Sequence, residues 1–180
     1  DRTAVDALER LYGLSGDWNT LCEVLELYLS ALEGDEEEQL RVRHQLGALY
    51  RDSIGDLGRA ITSLLPILDI NADDVGTMQE LADLYANGDD WENAIQMMER
   101  EIPLLPTIDE RVDRLHRMGV ICQEDIADTP RAEHWYQAVL ENEPGHLKTL
   151  ARLKDIFLET ERWDDAISAL RVMETTTKEF

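Results

Sequence analysis

Four histidines, two cysteines and one run of oxygen-bearing side chains are the residues through which this sequence could do chemistry. His44 and His116 occupy matching contexts, His44-Gln45-Leu46-Gly47 and His116-Arg117-Met118-Gly119. They stand 116 minus 44, or 72, residues apart. At ordinary helix spacing that separates them by roughly 20 Å, too far to share an ion. His134 and His146 have no Ser, Asp or Glu at a spacing that would build a proton relay. Cys22 and Cys122 fall in opposite halves, with no CxxC and no His at ligand spacing, which argues against a zinc site and a disulfide framework. Cys122 reads as buried packing rather than a reactive thiol. Asp69-Ile70-Asn71-Ala72-Asp73, with Glu80, imitates positions 1, 3, 5 and 12 of a calcium-binding EF-hand loop. Position 6 of that loop needs Gly for its sharp turn, and here it is Asp74, so the run reads as a turn with helix-start acids. The expectation is a non-enzyme with no catalytic residue, no metal site and no cofactor.

Totals narrow the class. The chain has 180 residues, 43% hydrophobic and 31% charged with five prolines, which fits a packed domain and opposes long disorder. Seventeen basic against 39 acidic residues give a net charge of -22. Such a chain repels phosphate backbones, so no nucleic-acid partner is expected. No stretch reaches 18 uninterrupted apolar residues, and Asp1-Arg2-Thr3 opens no signal-peptide core, so direct membrane insertion is not expected and the cytoplasm is favoured over export. Without an initiator Met, the sequence reads as a piece of something longer.

What must position any site is a repeat. His44 through Tyr50, with Ile54-Gly55-Asp56 and Ala60, is answered 72 residues later by His116 through Cys122, Ile126-Ala127-Asp128 and Ala132. Leu81, Leu84, Tyr85, Trp91 and Ala94 recur at the same offset as Leu153, Ile156, Phe157, Trp163 and Ala166. Leu8, Leu11, Tyr12 and Trp18 form a third copy, 73 residues before the first of these sets. Each 72 contains two related halves, one with an extra residue in its turn, so the unit is about 36 residues and five copies fill the chain. Their bounds are 1–38, 39–74, 75–109, 110–146 and 147–180.

Every copy predicts two helices. Leu46, Leu49 and Tyr50, like Leu81, Leu84 and Tyr85, follow i, i+3, i+4, and Ala94, Met97, Met98 and Ala166, Ala169, Leu170, Met173 make the second-helix stripes. Thr107 with Glu110 predicts a capped start, Thr129-Pro130 a first-turn proline, and Gly55-Asp56 and Asn87-Gly88-Asp89 the breaks between helices. Asp35-Glu36-Glu37-Glu38 reads as a solvated helix start, and Trp18, Trp91 and Trp163 as wedges at the hairpin turns. Pro66 and Pro103 fall well inside second helices and predict bends just before each. A single hairpin cannot bury its apolar face, so the copies must stack in order.

These residues resemble the tetratricopeptide repeat: Leu46-Gly47, Tyr50 and Ala60; Leu81-Ala82, Tyr85 and Ala94; Met118-Gly119, Ala132, Tyr136 and Pro144. Lys154, Leu21 and Cys122 depart from the pattern. The resemblance covers the whole chain and is to a piece of a longer bacterial-type array. It implies an all-α fold, an α-solenoid coiled as a right-handed superhelix of about ten antiparallel helices in five hairpins, forming a single array. It also implies that first helices line a concave groove for a protein or peptide partner; because 11 of the 17 basic residues fall in first helices, that groove is expected to be less negative than the outside. Groove positions carried over by register are Arg41, His44, Ala48 and Arg51; Gln79, Asp83 and Asn87; His116, Val120 and Gln123; and Lys148, Ala151, Asp155 and Leu158. Lys148 and Arg152 match part of the clamp by which some relatives hold a terminal carboxylate, whereas Gln79, Asp83 and Arg117 do not. The looser expectation is that Arg117, Lys148 and Arg152 with His116 meet an acidic segment. The runner-up functions are a structural spacer or self-assembling scaffold, associating end to end, and a non-catalytic region attached to an enzyme domain outside this chain.

Overall fold

The computed structural model describes residues 2–178, which hold helices and no strand. In order they are α1 Arg2–Ser15, α2 Trp18–Ser30, α3 Glu36–Ala48 running into a π-helical turn at Leu49–Ile54, α4 Leu57–Leu64, α5 Ile67–Ile70 and α6 Val75–Asn87. There follow α7 Trp91–Glu101 with a 3-10 turn at Ile102–Leu104, α8 Ile108–Glu124, α9 Thr129–Asn142, α10 Leu147–Glu159 and α11 Trp163–Lys178. With α4 and α5 counted as one helix broken at Pro66, the described residues form ten helices in five hairpins. The class is an all-α solenoid.

Both prolines act where the missing N–H and ring clash demand. Helix α4 ends at Leu64, Leu65 and Pro66 form a turn, and α5 restarts at Ile67. Helix α7 ends at Glu101, and Pro103 sits in the 3-10 turn beyond it. Starts follow the side chains: Thr107 accepts from the Glu110 N–H at 3.2 Å, Asp74 from Thr77 at 2.9 Å, and Pro130 occupies the first turn of α9. Asp74 therefore belongs to a helix start between repeats.

One turn recurs in all five hairpins. The residue two places before the second helix has a left-handed backbone: Gly16, Gly55, Asp89, Ala127 and Glu161, with φ of 71°, 79°, 57°, 60° and 58°. The next residue's N–H then returns to the carbonyl at the aromatic position of the first helix. These bonds are Asp17 to Tyr12 (3.2 Å), Asp56 to Tyr50 (2.8 Å), Asp90 to Tyr85 (2.9 Å), Asp128 to Cys122 (2.7 Å) and Arg162 to Phe157 (2.8 Å). Copies two and four carry one extra residue in this loop, and copy two absorbs it as the π-helical turn. The acceptor is backbone, so Cys122 serves as well as a tyrosine. At Asn87-Gly88-Asp89 the left-handed residue is Asp89, whereas Gly88 has φ -98°.

Contacts divide the chain into two compact units, Asp1–Met97 and Met98–Phe180. In the first, α2 packs on α3 and its π turn, and α4 on α6; in the second, α9 packs between α8 and α10, and α10 on α11. Close approach within hairpins requires small residues. A Cβ on Gly47 would lie 2.8 Å from Leu64, and one on Gly119 would enter the Tyr136 ring. Ala60, Ala94, Ala132 and Ala166 are all buried, as are Cys22 and Cys122.

Two expectations are corrected. Glu38 is not solvated: it is 5% exposed, because Arg41 donates to it at 2.8 and 3.0 Å and the Tyr28 hydroxyl at 3.2 Å. Those bonds, led by Arg41, hold its carboxyl below the usual carboxylate range. Trp163 is 57% exposed rather than wedged into its turn, while Trp18 and Trp91 are half-buried.

A left-handed alanine costs about 1 kcal/mol that glycine does not incur. Ala127→Gly is therefore expected to raise the unfolding midpoint, and Gly119→Ala to lower stability by about 1–3 kcal/mol through overpacking against Tyr136. Denaturation followed by circular dichroism checks both; a lower midpoint for Ala127→Gly would contradict the strain at that turn.

Candidate functional site

In the first unit, α3, its π turn and α6 enclose a cleft of about 690 Å³ lined by His44, Ala48, Arg51, Glu80, Asp83, Leu84 and Asn87. Five of these, His44, Ala48, Arg51, Asp83 and Asn87, are positions nominated by the repeat register. The π turn carries Arg51. Its guanidinium forks onto Asp52, with Nε and Nη2 donating at 2.7 and 2.8 Å, while Nη1 donates to Glu80 across the gap. This bonding pulls the Asp52 carboxyl below its usual range. His44 Nδ1 lies 4.0 Å from Glu80. Arg41 is drawn elsewhere, to Glu38 and, at 3.7 Å, to Glu9, and neither it nor Gln79 lines the cleft.

Beneath this cleft the hairpins are tied by polar groups as well as apolar ones. The Tyr50 hydroxyl donates to Glu26 at 2.7 Å, Arg59 donates to the same oxygen at 2.8 Å, and the Arg59 guanidinium covers the Tyr50 ring at 4.3 Å. Burial, followed by the bond to Glu26, raises the Tyr50 pKa and keeps the phenol neutral.

The second unit uses the same positions differently. Arg152 is the counterpart of Glu80 and Glu124 that of Asp52, and Arg152 donates to Glu124 at 2.5 Å. The ion pair crosses the same kind of gap with its polarity reversed. Gln123, the counterpart of Arg51, accepts from the Tyr136 hydroxyl at 2.9 Å. Asp155 pairs with Lys154 at 2.7 Å. Arg117, Lys148 and Leu158 are exposed, and Val120 and Ala151 half-buried. Burial raises the Tyr136 pKa to about 12.

His116 and His146, unconnected in the sequence, meet here. Both Nδ1 atoms contact the buried Thr149 hydroxyl, at 2.8 Å for His116 and 2.7 Å for His146, and the rings lie 5.2 Å apart. His146 also caps α10, its Nδ1 accepting from the Thr149 N–H at 3.3 Å. That nitrogen must therefore bear a lone pair. The hydroxyl donates to it, and His116 donates its Nδ1–H to the Thr149 oxygen. The tautomers follow from one shared hydroxyl.

Several partners were not read from the sequence. Glu80 appeared only as an imitation of a calcium ligand, although subtracting 72 from Arg152 would have nominated it. Glu38, Asp52, Glu124 and Thr149 carry no motif. Glu101, fully buried, pairs with Arg114, and nothing in a lone glutamate near a helix end announces this. First helices, with the π turn, carry 11 of the 17 basic but only 14 of the 39 acidic residues. They stand at -3, and the remainder of the chain at -19.

This is the architecture of a helical repeat array with side chains turned to solvent along its first helices. A family model described as "Tetratricopeptide repeat" matches residues 77–110, which span α6 and α7. No curated protein matches the sequence. Among solved structures the fold is shared with a crystal structure of MamA, 17% identical, with a TM-score of 0.59 over 98% of this chain and 92% of that one. MamA from Desulfovibrio magneticus RS-1 is 14% identical, with a TM-score of 0.54 over 98% and 93%. The Podosopora anserina putative kinesin light chain with nearly identical TPR-like repeats is 16% identical, with a TM-score of 0.56 over 98% and 95%. Residues 77–110 thus match the tetratricopeptide repeat, and the described residues share their all-α solenoid fold with these structures.

Burial first, then His146, Arg152 and Lys148, push the His116 pKa below 6.5, against a smaller opposing pull from Asp113. The folded state then binds fewer protons at this site than the unfolded state does. Stability from neutral His116 is complete above about pH 6.5 and is lost as pH falls through the lowered folded value. We expect denaturation midpoints to decline between pH 7 and 5.5, and His116→Gln, which can still bond Thr149, to flatten that slope. An unchanged slope would assign the decline to other groups.

Proposed function

We propose that the chain is a protein-interaction module in which the first-unit cleft holds a segment of a partner. One observation carries this reading: five residues that the family resemblance nominated, carried over by repeat register, line the walls of one cleft. The tetratricopeptide match over residues 77–110, the similar scaffolds of the solved structures and the near-neutral first helices support it. Groups of three or more His, Cys, Asp or Glu able to hold a metal are absent among the described residues, and no helix there is long and apolar enough to cross a membrane.

A second reading concerns the other unit, where Arg117, Lys148 and Arg152 with His116 would meet an acidic segment. Its support is the positive charge of Arg152 and Lys148 acting on His116. Against it, an incoming carboxylate must compete with Glu124 for Arg152. The spacer or scaffold reading needs no cleft at all.

Ala48 is half-buried at the cleft wall, so Ala48→Trp fills the space without touching the core. Proteins captured by the wild-type chain under photocrosslinking at position 87 are expected to be lost on Ala48→Trp, with the helical spectrum unchanged. Capture that survives the substitution moves the binding face elsewhere. Concentration-dependent light scattering with no captured partner favours the scaffold.

A further inference from the structure

We infer that His44 is a movable wall of the first-unit cleft, with a second seat inside the fold on the hydroxyl of Thr77. This second seat is a property of one side chain and exists whether or not the cleft holds a partner. A leftover polar atom marks it: Thr77 is fully buried, and among the described residues its Oγ1 has no hydrogen-bond partner. Such a hydroxyl has given up water without replacement, which favours any arrangement that supplies a partner.

The other unit shows which side chain fits. Adding 72 to Thr77 gives Thr149, also fully buried, and adding 72 to His44 gives His116. There the two side chains are bonded, with His116 Nδ1 2.8 Å from the Thr149 oxygen, and the imidazole lies against the Tyr136 ring at 5.6 Å. His44 is turned outward instead. It lines the cleft, its side chain is 44% exposed, and its Nδ1 lies 4.0 Å from Glu80, too far for a hydrogen bond.

Room for the inner seat follows from the same register. The seated His116 is flanked by Tyr136 and His146, whose counterparts are Leu64 and Asp74, both smaller. Asp74 also takes over the work of His146. Each caps its helix through the threonine N–H, Asp74 Oδ1 at 2.9 Å and His146 Nδ1 at 3.3 Å, and His146 contacts the threonine hydroxyl as well, at 2.7 Å. With the Thr77 hydroxyl donating to Asp74, its oxygen accepts from His44, which then carries its proton on Nδ1. Turning inward takes the ring off the wall beside Ala48 and Glu80, so the cleft widens by rotation of one side chain.

Nitrogen NMR of the imidazoles in the full chain at about pH 8, above the ordinary histidine range, tests this, because a neutral ring reports which nitrogen holds its proton. His44 is expected to populate the Nδ1–H tautomer in part, where His116 holds it throughout. Thr77→Val should abolish that share for His44 and leave His116 unchanged, and Thr77→Ser should retain it. Glu80→Gln, which weakens the outer seat, should raise the share roughly twofold, the scale of one partly exposed charge contact. A His44 tautomer indifferent to Thr77→Val, while His116 responds to Thr149→Val, would mean that the buried hydroxyl is satisfied by something else, such as a water, and would overturn the inference. Glu80 lies outside the core, so the test survives a Thr77→Val chain that fails to fold: no Nδ1–H signal from His44 in the wild type and in Glu80→Gln alike would overturn it too.

Discussion

A single backbone hydrogen bond, made five times, sets the geometry on which the rest of this protein depends. The N–H that opens each second helix returns to the carbonyl at the aromatic position of the first, five residues back in copies one, three and five and six back in copies two and four. Reaching it requires one left-handed residue, and the chain places one there in every copy. The bond satisfies a carbonyl that a helix end would otherwise leave to solvent, and an acidic cap takes up an N–H on the other side in copies one to four. Turn geometry fixed in this way brings the two helices of a hairpin together at the same level. The small residues Gly47, Gly119 and Ala60 can then admit Leu64 and Tyr136 between them.

The extra residue in copies two and four has a consequence for the surface. In copy two it widens the last turn of α3 into a π-helix, and Arg51 stands on that widened turn. From there its guanidinium reaches both Asp52 and Glu80. Copy four keeps the same loop length, but its residue at that place is Gln123, which is held from behind by the Tyr136 hydroxyl. One backbone device thus presents two different chemistries. Exposed ion pairs of this sort contribute little to stability, on the order of 0–1 kcal/mol each, so their arrangement speaks more of recognition than of folding.

Polar groups below the surface act as registers. Tyr50, Glu26 and Arg59 bind three helical segments of the first unit through two hydrogen bonds and a cation over an aromatic face. Thr149 does the same in the second unit by linking His116 on α8 to His146 at the start of α10. Each such group is satisfied only when neighbouring hairpins meet in one register, because a slipped pairing would strand a partly buried donor or acceptor.

How much of this could be read without coordinates differs by level. Repeat length, helix pairing, the breaks at Pro66 and Pro103 and the small positions were all legible, because each is a local rule obeyed by the residue itself or by its copy 72 positions away. Register also named five of the cleft's seven lining residues. It did not reveal that Asp89, Ala127 and Glu161 adopt a glycine-like backbone, since nothing in those side chains asks for it and only closure of the hairpin imposes it. Nor could it show Glu38 buried under Arg41, Glu101 paired with Arg114, or two histidines sharing one hydroxyl. Those contacts join residues whose distance apart is set by helix packing. Sequence determined the array because its signals are periodic and local; the polar partnerships that give each face its character were decided by tertiary structure, where a charge takes whichever neighbour packing brings within reach.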